Sequence, residues 1–183
     1  MRVITSAQRN QLSKYLSLVL RHRPDIIGIA LDAQGWTPVP RLINALQKAG
    51  KPIDEDILKI IVATNDKKRF QVSPDGSNIR ACQGHSVNVD LQLKGRKPPD
   101  ILYHGTSTRY LDSILTEGIK SKNRHHVHLS EGFETALTVG KRHGMPVILK
   151  IKAGQMHQNQ LPFYRSENGV WLTEFVSPKW IAL

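Results

Sequence analysis

Residues 69–81, RFQVSPDGSNIRA, decide the fold of the first half of the chain. Apolar and polar side chains alternate along residues 69–72 and again along residues 78–81, as they do in strands that bury one face. Between these two arms lies Ser73-Pro74-Asp75-Gly76, a composition typical of tight turns. The stretch therefore predicts a β-hairpin.

Three helical patterns precede the hairpin, each with apolar residues three and four positions apart. Caps, prolines and glycines bound the predicted helices at Thr5 or Ser6 to Arg21-His22, about Pro40 to Gly50, and Asp54 to the turn Asn65-Asp66. The side chains expected to be buried are Leu12, Tyr15, Leu16, Val19 and Leu20, then Leu42, Leu46 and Ala49, then Ile57, Ile60 and Ile61. Three short helices followed by a basic hairpin suggest a winged helix, a fold that often binds nucleic acid, although similar small domains also bind proteins.

Beyond the hairpin, residues 94–99, KGRKPP, have the polar, proline-containing composition of a linker. The half that follows alternates between strand signals and helix signals. Strands are predicted at residues 101–104, 126–129, 147–151 and 170–173, and helices at residues 110–115 and 133–143. We therefore predict an α+β protein with a winged-helix lobe at residues 1–94 and a second lobe at residues 98–183.

The composition points to an anionic partner. The 183 residues include 26 Lys and Arg against 15 Asp and Glu, a formal charge of +11, and residues 1–97 carry most of the excess. Such an excess is expected of a surface that binds phosphate, so nucleic acid is the leading class of partner. A basic surface that is merely well solvated is the alternative.

The single Cys82 cannot form an internal disulfide, and the amino-terminal residues contain no apolar run of signal-peptide length. No stretch approaches the roughly 20 apolar residues of a membrane-spanning helix. We therefore expect a soluble, cytoplasmic protein that has no membrane partner and is a monomer.

Arg21, His22 and Arg69 are candidates for phosphate chemistry in the first half. Arg21 and His22 adjoin at a predicted helix end, and Arg69 opens the hairpin. A guanidinium holds phosphate through paired hydrogen bonds, and an imidazole transfers protons near neutral pH. The alternative is that Arg21 and His22 satisfy the terminal carbonyls of their own helix.

In the second half, residues 102–107, LYHGTS, place His104 at a predicted strand end, with Gly105 and Thr106 ahead of a helix. A glycine and hydroxyl groups at this position allow a ligand to approach the backbone closely.

A cluster of histidines follows in residues 124–130, RHHVHLS, where His126 and His128 are predicted to share one strand face. Zinc binding is one interpretation of such a cluster. The spacing matches neither a helical His pair nor a Cys-supported site, and no carboxylate lies close by in sequence. We therefore expect no metal.

Six stretches of the chain match the motifs of one family in order and spacing: LSKYLSLVLRHRP, TNDKKRF, IRACQGHS, LYHGTS, RHHVHLS and ENGVWLT. Through them, nearly the whole chain resembles the RNA 2′-phosphotransferase family, also called tRNA 2′-phosphotransferases or KptA. The resemblance implies an RNA-binding winged-helix lobe, an NAD-binding lobe of the ADP-ribosyltransferase fold at residues 98–183, and 2′-phosphorylated RNA and NAD as substrates.

The resemblance also implies roles for individual residues. It assigns catalysis to Arg21, His22, Arg69 and Arg124. It assigns NAD binding to His104, Gly105 and Thr106, and to His128, Leu129 and Ser130, with His125 and His126 leaving the register of the last three open.

The implied reaction has two steps. The RNA 2′-phosphate first displaces nicotinamide from NAD, and the resulting ADP-ribosylated phosphate then yields 2′-OH RNA and ADP-ribose 1″,2″-cyclic phosphate. Two alternatives stay open: an ADP-ribosyltransferase that modifies nucleic-acid phosphates without the second step, and a winged-helix nucleic-acid-binding regulator with an inactive NAD lobe.

Val170 stands where many protein-directed ADP-ribosyltransferases have a glutamate. A phosphate monoester is already an anionic nucleophile and needs orientation more than it needs a base. Val170 therefore favours a phosphate acceptor, although valine is also an ordinary residue of a strand core.

Overall fold

The structure is a computed structural model that describes residues 4–65 and 67–183. The chain divides into two compact units, residues 1–92 and 93–183, and each apolar core draws its residues from one unit. Asp66, part of the turn predicted after the third helix, lies outside the described residues. The elements in both units make the chain a mixed α+β protein.

The first unit follows the order helix, 3₁₀ turn, strand, helix, helix, strand, strand, with the 3₁₀ turn at Pro24–Ile27. Its elements are α1 Ser6–Arg21, β1 Thr37–Pro38, α2 Val39–Lys48, α3 Glu55–Ala63, β2 Phe70–Val72 and β3 Asn78–Ala81. The predicted hairpin is confirmed, since β2 and β3 pair antiparallel with Val72 opposite Ile79. Strand β1 was not predicted; it pairs with β3 through Thr37 and Ile79, so that the strands lie in the order β1-β3-β2.

The predicted starts of α1 and α3 are confirmed by side-chain caps, whereas α2, predicted from about Pro40, begins at Val39 without a side-chain cap. Thr5 and Gln8 form a capping box at the start of α1, with bonds of 3.2 and 2.9 Å between each backbone N–H and the other side chain. At α3 the Asp54 carboxylate accepts from the N–H of Ile57 at 2.8 Å. An N-cap of this kind stabilises a helix by about 1 kcal/mol.

The core of the first unit contains most of the side chains expected there: Leu12, Leu16, Val19, Leu20, Leu42, Leu46, Ile57 and Ile61 are buried, and Tyr15 packs against them. The prediction for Ala49 was wrong, because α2 ends at Lys48 and Ala49 is exposed beyond it. Ile60 is only half-buried, whereas its neighbour Leu58 is buried.

The stretch with linker composition is bound to the second unit. Gly95 pairs with Tyr164, and the N–H of Arg96 donates to the carbonyl of Phe163 at 2.8 Å. Pro98 is buried. Composition reports on side chains, whereas these bonds are made by the backbone.

Every strand and helix signal of the second half corresponds to an element. The elements are β4 Leu102–Ser107, α4 Thr108–Glu117, β5 Ile119–Lys120, β6 Val127–Leu129, α5 Phe133–Gly140, β7 Pro146–Ile151, α6 Ala153–Gln158, β8 Tyr164–Arg165, β9 Trp171–Thr173, β10 Phe175–Val176 and β11 Ile181–Ala182. The longest pairing joins β4 to β7 antiparallel, and β11 lies on the other side of β7. A second sheet has the order β6-β9-β8, and β5 pairs with β10.

Several boundaries differ from the predictions. Strand β4 runs on through Ser107, so His104 lies in its middle rather than at its end. Strand β6 begins at Val127, which leaves His126 outside it, and a 3₁₀ turn, Lys141–His143, replaces the last turn of α5. Helix α6 and the two-residue strands were not predicted, because segments this short carry little periodicity.

Two glycines bring α5 against β4. A Cβ on Gly105 would overlap the carbonyl oxygen of Ala136 in α5. A Cβ on Gly140 would lie 2.7 Å from the carbonyl oxygen of Thr106. The close approach of the two backbones therefore requires glycine at both positions.

Among the described residues, no helix has the length and apolar character needed to cross a bilayer.

Candidate active site

The carboxyl end of α1 carries Arg21 and His22, and the carbonyls of Leu18 and Arg21 there accept from backbone groups. The carbonyl of Leu18 accepts from the N–H of His22 at 2.9 Å. The carbonyl of Arg21 accepts from Ser86 and Val87 at 2.9 and 3.3 Å. The side chains of Arg21 and His22 are therefore not needed to cap these carbonyls, which weakens the purely structural interpretation of the pair.

Ser86 also orients the His22 imidazole. Its hydroxyl lies 2.9 Å from Nδ1 of His22, 64 positions away in sequence. Ser86 closes the stretch IRACQGHS, residues 79–86, but it was not among the residues predicted for the site. A hydroxyl on Nδ1 fixes the ring plane and leaves proton transfer to Nε2.

Arg69 lies at the end of a short chain of polar side chains in the first unit. Its guanidinium donates to Oδ1 of Asn65 at 3.4 Å, and Nδ2 of Asn65 donates to the hydroxyl of Ser13 at 2.9 Å. Ser13 and Asn65 are buried. Buried amide and hydroxyl groups that bond to one another hold a guanidinium in a defined direction.

His104 projects from β4 in the second unit and bonds to β6. Its Nδ1 lies 3.1 Å from the carbonyl of His128 and donates to it. Burial lowers the pKa of the His104 imidazole, and the nearby His143 lowers it further, against the opposing effect of the bond to the carbonyl. A neutral ring that donates through Nδ1 keeps Nε2 as an acceptor.

Arg124 and His128 lie together beside this histidine. Nη1 of Arg124 is 3.4 Å from Nδ1 of His128. Desolvation lowers the pKa of the Arg124 guanidinium, and the positive charge of Arg142 lowers it further. The structure thus groups His104, His128 and Arg124, and it adds the 3₁₀-turn residues Arg142 and His143, which were not predicted for the site. The available signal was the dense basic run KRH directly after α5.

The other residues assigned to NAD have different surroundings. Gly105, Thr106 and Leu129 are buried, Gly105 against α5 and Leu129 within the core of the unit. Ser130 is half-buried and exchanges two backbone hydrogen bonds of 2.8 Å with Tyr103. The side chain of Leu129 therefore belongs to the core, and the glycine requirement at position 105 comes from helix packing.

The neighbouring histidines lie outside this group. His126 packs its ring against Tyr164, 5.5 Å between centroids, and His125 is exposed. Burial lowers the pKa of His126, and so does the charge of His125. Within residues 4–65 and 67–183, no three His, Cys, Asp or Glu side chains are placed to hold a metal ion together.

Val170 directly precedes β9 and is half-buried. Its N–H and carbonyl both bond to the Ser166 hydroxyl, at 3.1 and 3.0 Å. Gly169, at φ +79°, completes the turn predicted at the start of ENGVWLT. The backbone of Val170 is thus fixed by the turn.

Comparison with known proteins identifies relatives that match most of the chain. The sequence model of the RNA 2′-phosphotransferase, Tpt1/KptA family matches residues 7–175. The chain is 51% identical over 169 residues to a probable RNA 2′-phosphotransferase of Acaryochloris marina, covering 92% of this chain and 93% of that protein. It is 51% identical over 170 residues to the RNA 2′-phosphotransferase of Escherichia coli strain K12, covering 92% of each. It is 49% identical over 170 residues to a probable RNA 2′-phosphotransferase of Flavobacterium johnsoniae, covering 93% of each. The chain therefore belongs to the RNA 2′-phosphotransferase, Tpt1/KptA family of transferases.

Proposed function

We propose that this protein removes an internal 2′-phosphate from RNA and transfers it to NAD. The family match over residues 7–175 carries the proposal. The first unit is proposed to be a winged-helix RNA-binding lobe, in keeping with its element order and its strands β1-β3-β2. The second is proposed to be an NAD-binding lobe of the ADP-ribosyltransferase fold. Cys82 is buried and is the single cysteine of the sequence, so the chain has no internal disulfide. This suits the reducing cytoplasm, where we propose that the protein works as a monomer.

The proposed reaction transfers the phosphate in two displacements. An oxygen of the RNA 2′-phosphate attacks the anomeric carbon of the nicotinamide ribose, the glycosidic bond breaks, and nicotinamide leaves as a neutral molecule. The neighbouring 2″-hydroxyl then loses its proton and attacks phosphorus. The bond from phosphorus to the RNA oxygen breaks, and this oxygen takes up a proton. The products are 2′-OH RNA and ADP-ribose 1″,2″-cyclic phosphate.

In the first unit, Arg21 and Arg69 are proposed to neutralise the phosphate. Oriented donors contribute most where charge develops in a transition state, and the Asn65 contact orients Arg69 in this way. His22, positioned through its Nδ1 by Ser86, is proposed to protonate the departing RNA oxygen from Nε2.

In the second unit, Arg124 is proposed to bind phosphate during the second displacement. The nearby Arg142 supports this role, because two guanidinium groups that repel each other favour an anion beside them. His104 and His128 are proposed to bind NAD through their rings. Gly105, Thr106 and Leu129 are buried and Ser130 is half-buried, so these four residues are proposed to shape the NAD site around the two histidines.

NAD fits the hydrogen-bonding character of this group. A neutral His104 with an acceptor at Nε2 suits the N–H groups of a carboxamide, and the guanidinium of Arg124 suits phosphate oxygens. NAD supplies an activated glycosidic carbon and a hydroxyl nucleophile next to it.

The test is to mix the protein with an oligonucleotide bearing one internal 2′-phosphate, with and without NAD, and to identify the products. We expect NAD-dependent release of nicotinamide and cyclic phosphate, unaffected by a chelator. Full activity without NAD, or its loss to EDTA, would contradict the proposal. Accumulated ADP-ribosylated RNA as the final product would indicate the one-step transferase, and RNA binding without any reaction would indicate the regulator.

Replacing His104 by alanine is expected to slow nicotinamide release at limiting NAD by roughly tenfold or more, the usual effect of losing a well-placed hydrogen bond to a substrate. Initial rates at several NAD concentrations measure the effect. His125→Ala is the matched control, because His125 is exposed and outside the grouped side chains. An unchanged rate for the His104 variant would remove this residue from the NAD site.

A further inference from the structure

A small cleft opens in the first unit between the amino-terminal half of α1 and the chain that follows α3. It has a volume of about 190 Å³, and its lining includes Arg9, Asn10, Ser13, Asn65, Lys67 and Arg69. Sites for whole small molecules usually measure roughly 300–1,000 Å³. This cleft therefore suits one small chemical group rather than a complete cofactor.

The charges of the lining select for an anion. Arg9 approaches the cleft from α1, and Lys67 and Arg69 approach it from the segment between α3 and β2. None of the described lining residues is acidic. Asn10 and Thr64 add further hydrogen-bonding side chains. Like charges around one concave surface favour a bound anion, and guanidinium and ammonium groups are the usual protein ligands of phosphate.

The floor of the cleft is buried, polar and hydrogen-bonded. Ser13 and Asn65 are buried, with 6% and 9% of their surface exposed. Asn65 donates to the Ser13 hydroxyl, and its Oδ1 accepts from Arg69 and from the N–H of Lys67. A hydroxyl that accepts in this way retains a proton to donate. The floor therefore presents oriented donors before any ligand arrives.

We propose that this cleft binds a backbone phosphodiester of the RNA substrate, flanking the 2′-phosphorylated nucleotide, and that Arg9 is a ligand of this phosphate. The inference rests on the proposed function and extends it to the neighbouring RNA. Arg69 lines the cleft and also belongs to the candidate catalytic set. Arg9 and Arg21 stand twelve residues apart on α1, an axial separation of about 18 Å. A strand that contacts both therefore spans several nucleotides.

The test measures RNA binding by the full chain without NAD, using fluorescence anisotropy over a range of salt concentrations. The probes are an octanucleotide and a dinucleotide, each with one internal 2′-phosphate, and the octanucleotide without it. Arg9→Ala removes a cation. Asn10→Asp keeps all cations but adds a negative charge to the cleft, near the amino end of α1 where an acidic side chain is compatible with the helix.

Both variants are expected to raise the Kd of the octanucleotide about tenfold at low salt, the scale of one charged hydrogen bond, and the Kd of the dinucleotide by much less. Loss of one phosphate contact also lowers the slope of log Kd against log salt by about 0.7 for a single strand. Arg41→Ala, an exposed arginine of α2 outside the cleft, is the matched control and is expected to bind as the parent protein does.

Octanucleotide binding and salt slope equal to those of the parent protein in both variants would overturn the inference. An equal rise in the Kd of AMP or inorganic phosphate would also overturn it, because that result would identify a site for free phosphate. The reduced salt slope is expected on the octanucleotide without the 2′-phosphate as well. If that slope falls while the protein shows no phosphotransferase activity, the proposed function fails and the RNA-binding role of the cleft stands.

Discussion

Replacing Arg21 or His22 by alanine is expected to make ADP-ribosylated RNA accumulate, an intermediate that the parent enzyme passes on rapidly. The two displacements differ in what they require. The first places an anionic phosphate against an activated carbon and releases a neutral molecule. The second adds charge at phosphorus and must protonate a poor leaving oxygen, so the loss of a guanidinium or imidazole affects it more.

The expected loss in the rate of the second step is on the order of 100-fold or more for each variant, the usual effect of removing one preorganised donor. Single-turnover assays with labelled RNA measure both steps. Arg23→Ala is the matched control: Arg23 lies one residue further on, is exposed, and pairs with Asp25 at 2.9 Å. If both steps slow equally and no intermediate appears, Arg21 and His22 only bind the substrate.

Substituting Gly105 by alanine is expected to destabilise the second unit by about 3 kcal/mol or more. The added Cβ would overlap the carbonyl oxygen of Ala136, which belongs to the backbone of α5 and cannot move without shifting the helix. Overpacking at backbone contacts forces displacement of whole elements, which places the effect at the upper end for single substitutions.

Thermal unfolding followed by circular dichroism tests this expectation, with Gly132→Ala as the matched control. A Cβ at Gly132, just before α5, would meet only the side chain of Thr135 at 3.7 Å, and the backbone there has negative φ. Gly132 is the N-cap of α5, where alanine is less favourable than glycine, so the control is expected to lose at most about 1 kcal/mol, well below the loss for the Gly105 variant. A Gly105 variant that keeps the parent stability but loses NAD use would restore a ligand-contact role for this glycine.

Features that depend on residues close together in the sequence could be predicted, whereas features that depend on residues far apart in the sequence could not. The helix caps at Thr5 and Asp54 and the β2–β3 hairpin follow from residues within a few positions of one another, and all three are confirmed. Strand β1 has two residues and exists because Thr37 meets Ile79. The sequence around Thr37 has no periodicity that predicts this pairing.

The same distinction applies to the candidate site. The sequence singles out Arg21, His22, His104 and Arg124 through their chemistry and their motifs, but the group that orients His22 comes from Ser86. Gly105 was interpreted as room for a ligand, whereas the structure uses that room for α5. A glycine in a motif indicates a close approach without saying what approaches.

The separate cores of the two units have a consequence for spectroscopy. The tryptophans are divided in the same way, with Trp36 stacked beneath Arg80 in the first unit and Trp171 and Trp180 in the second. A single unfolding midpoint need not describe a chain with two cores. In a chain carrying Trp36→Phe, indole fluorescence arises from the second unit alone. The emission of this full-length variant therefore reports the unfolding of the second core separately.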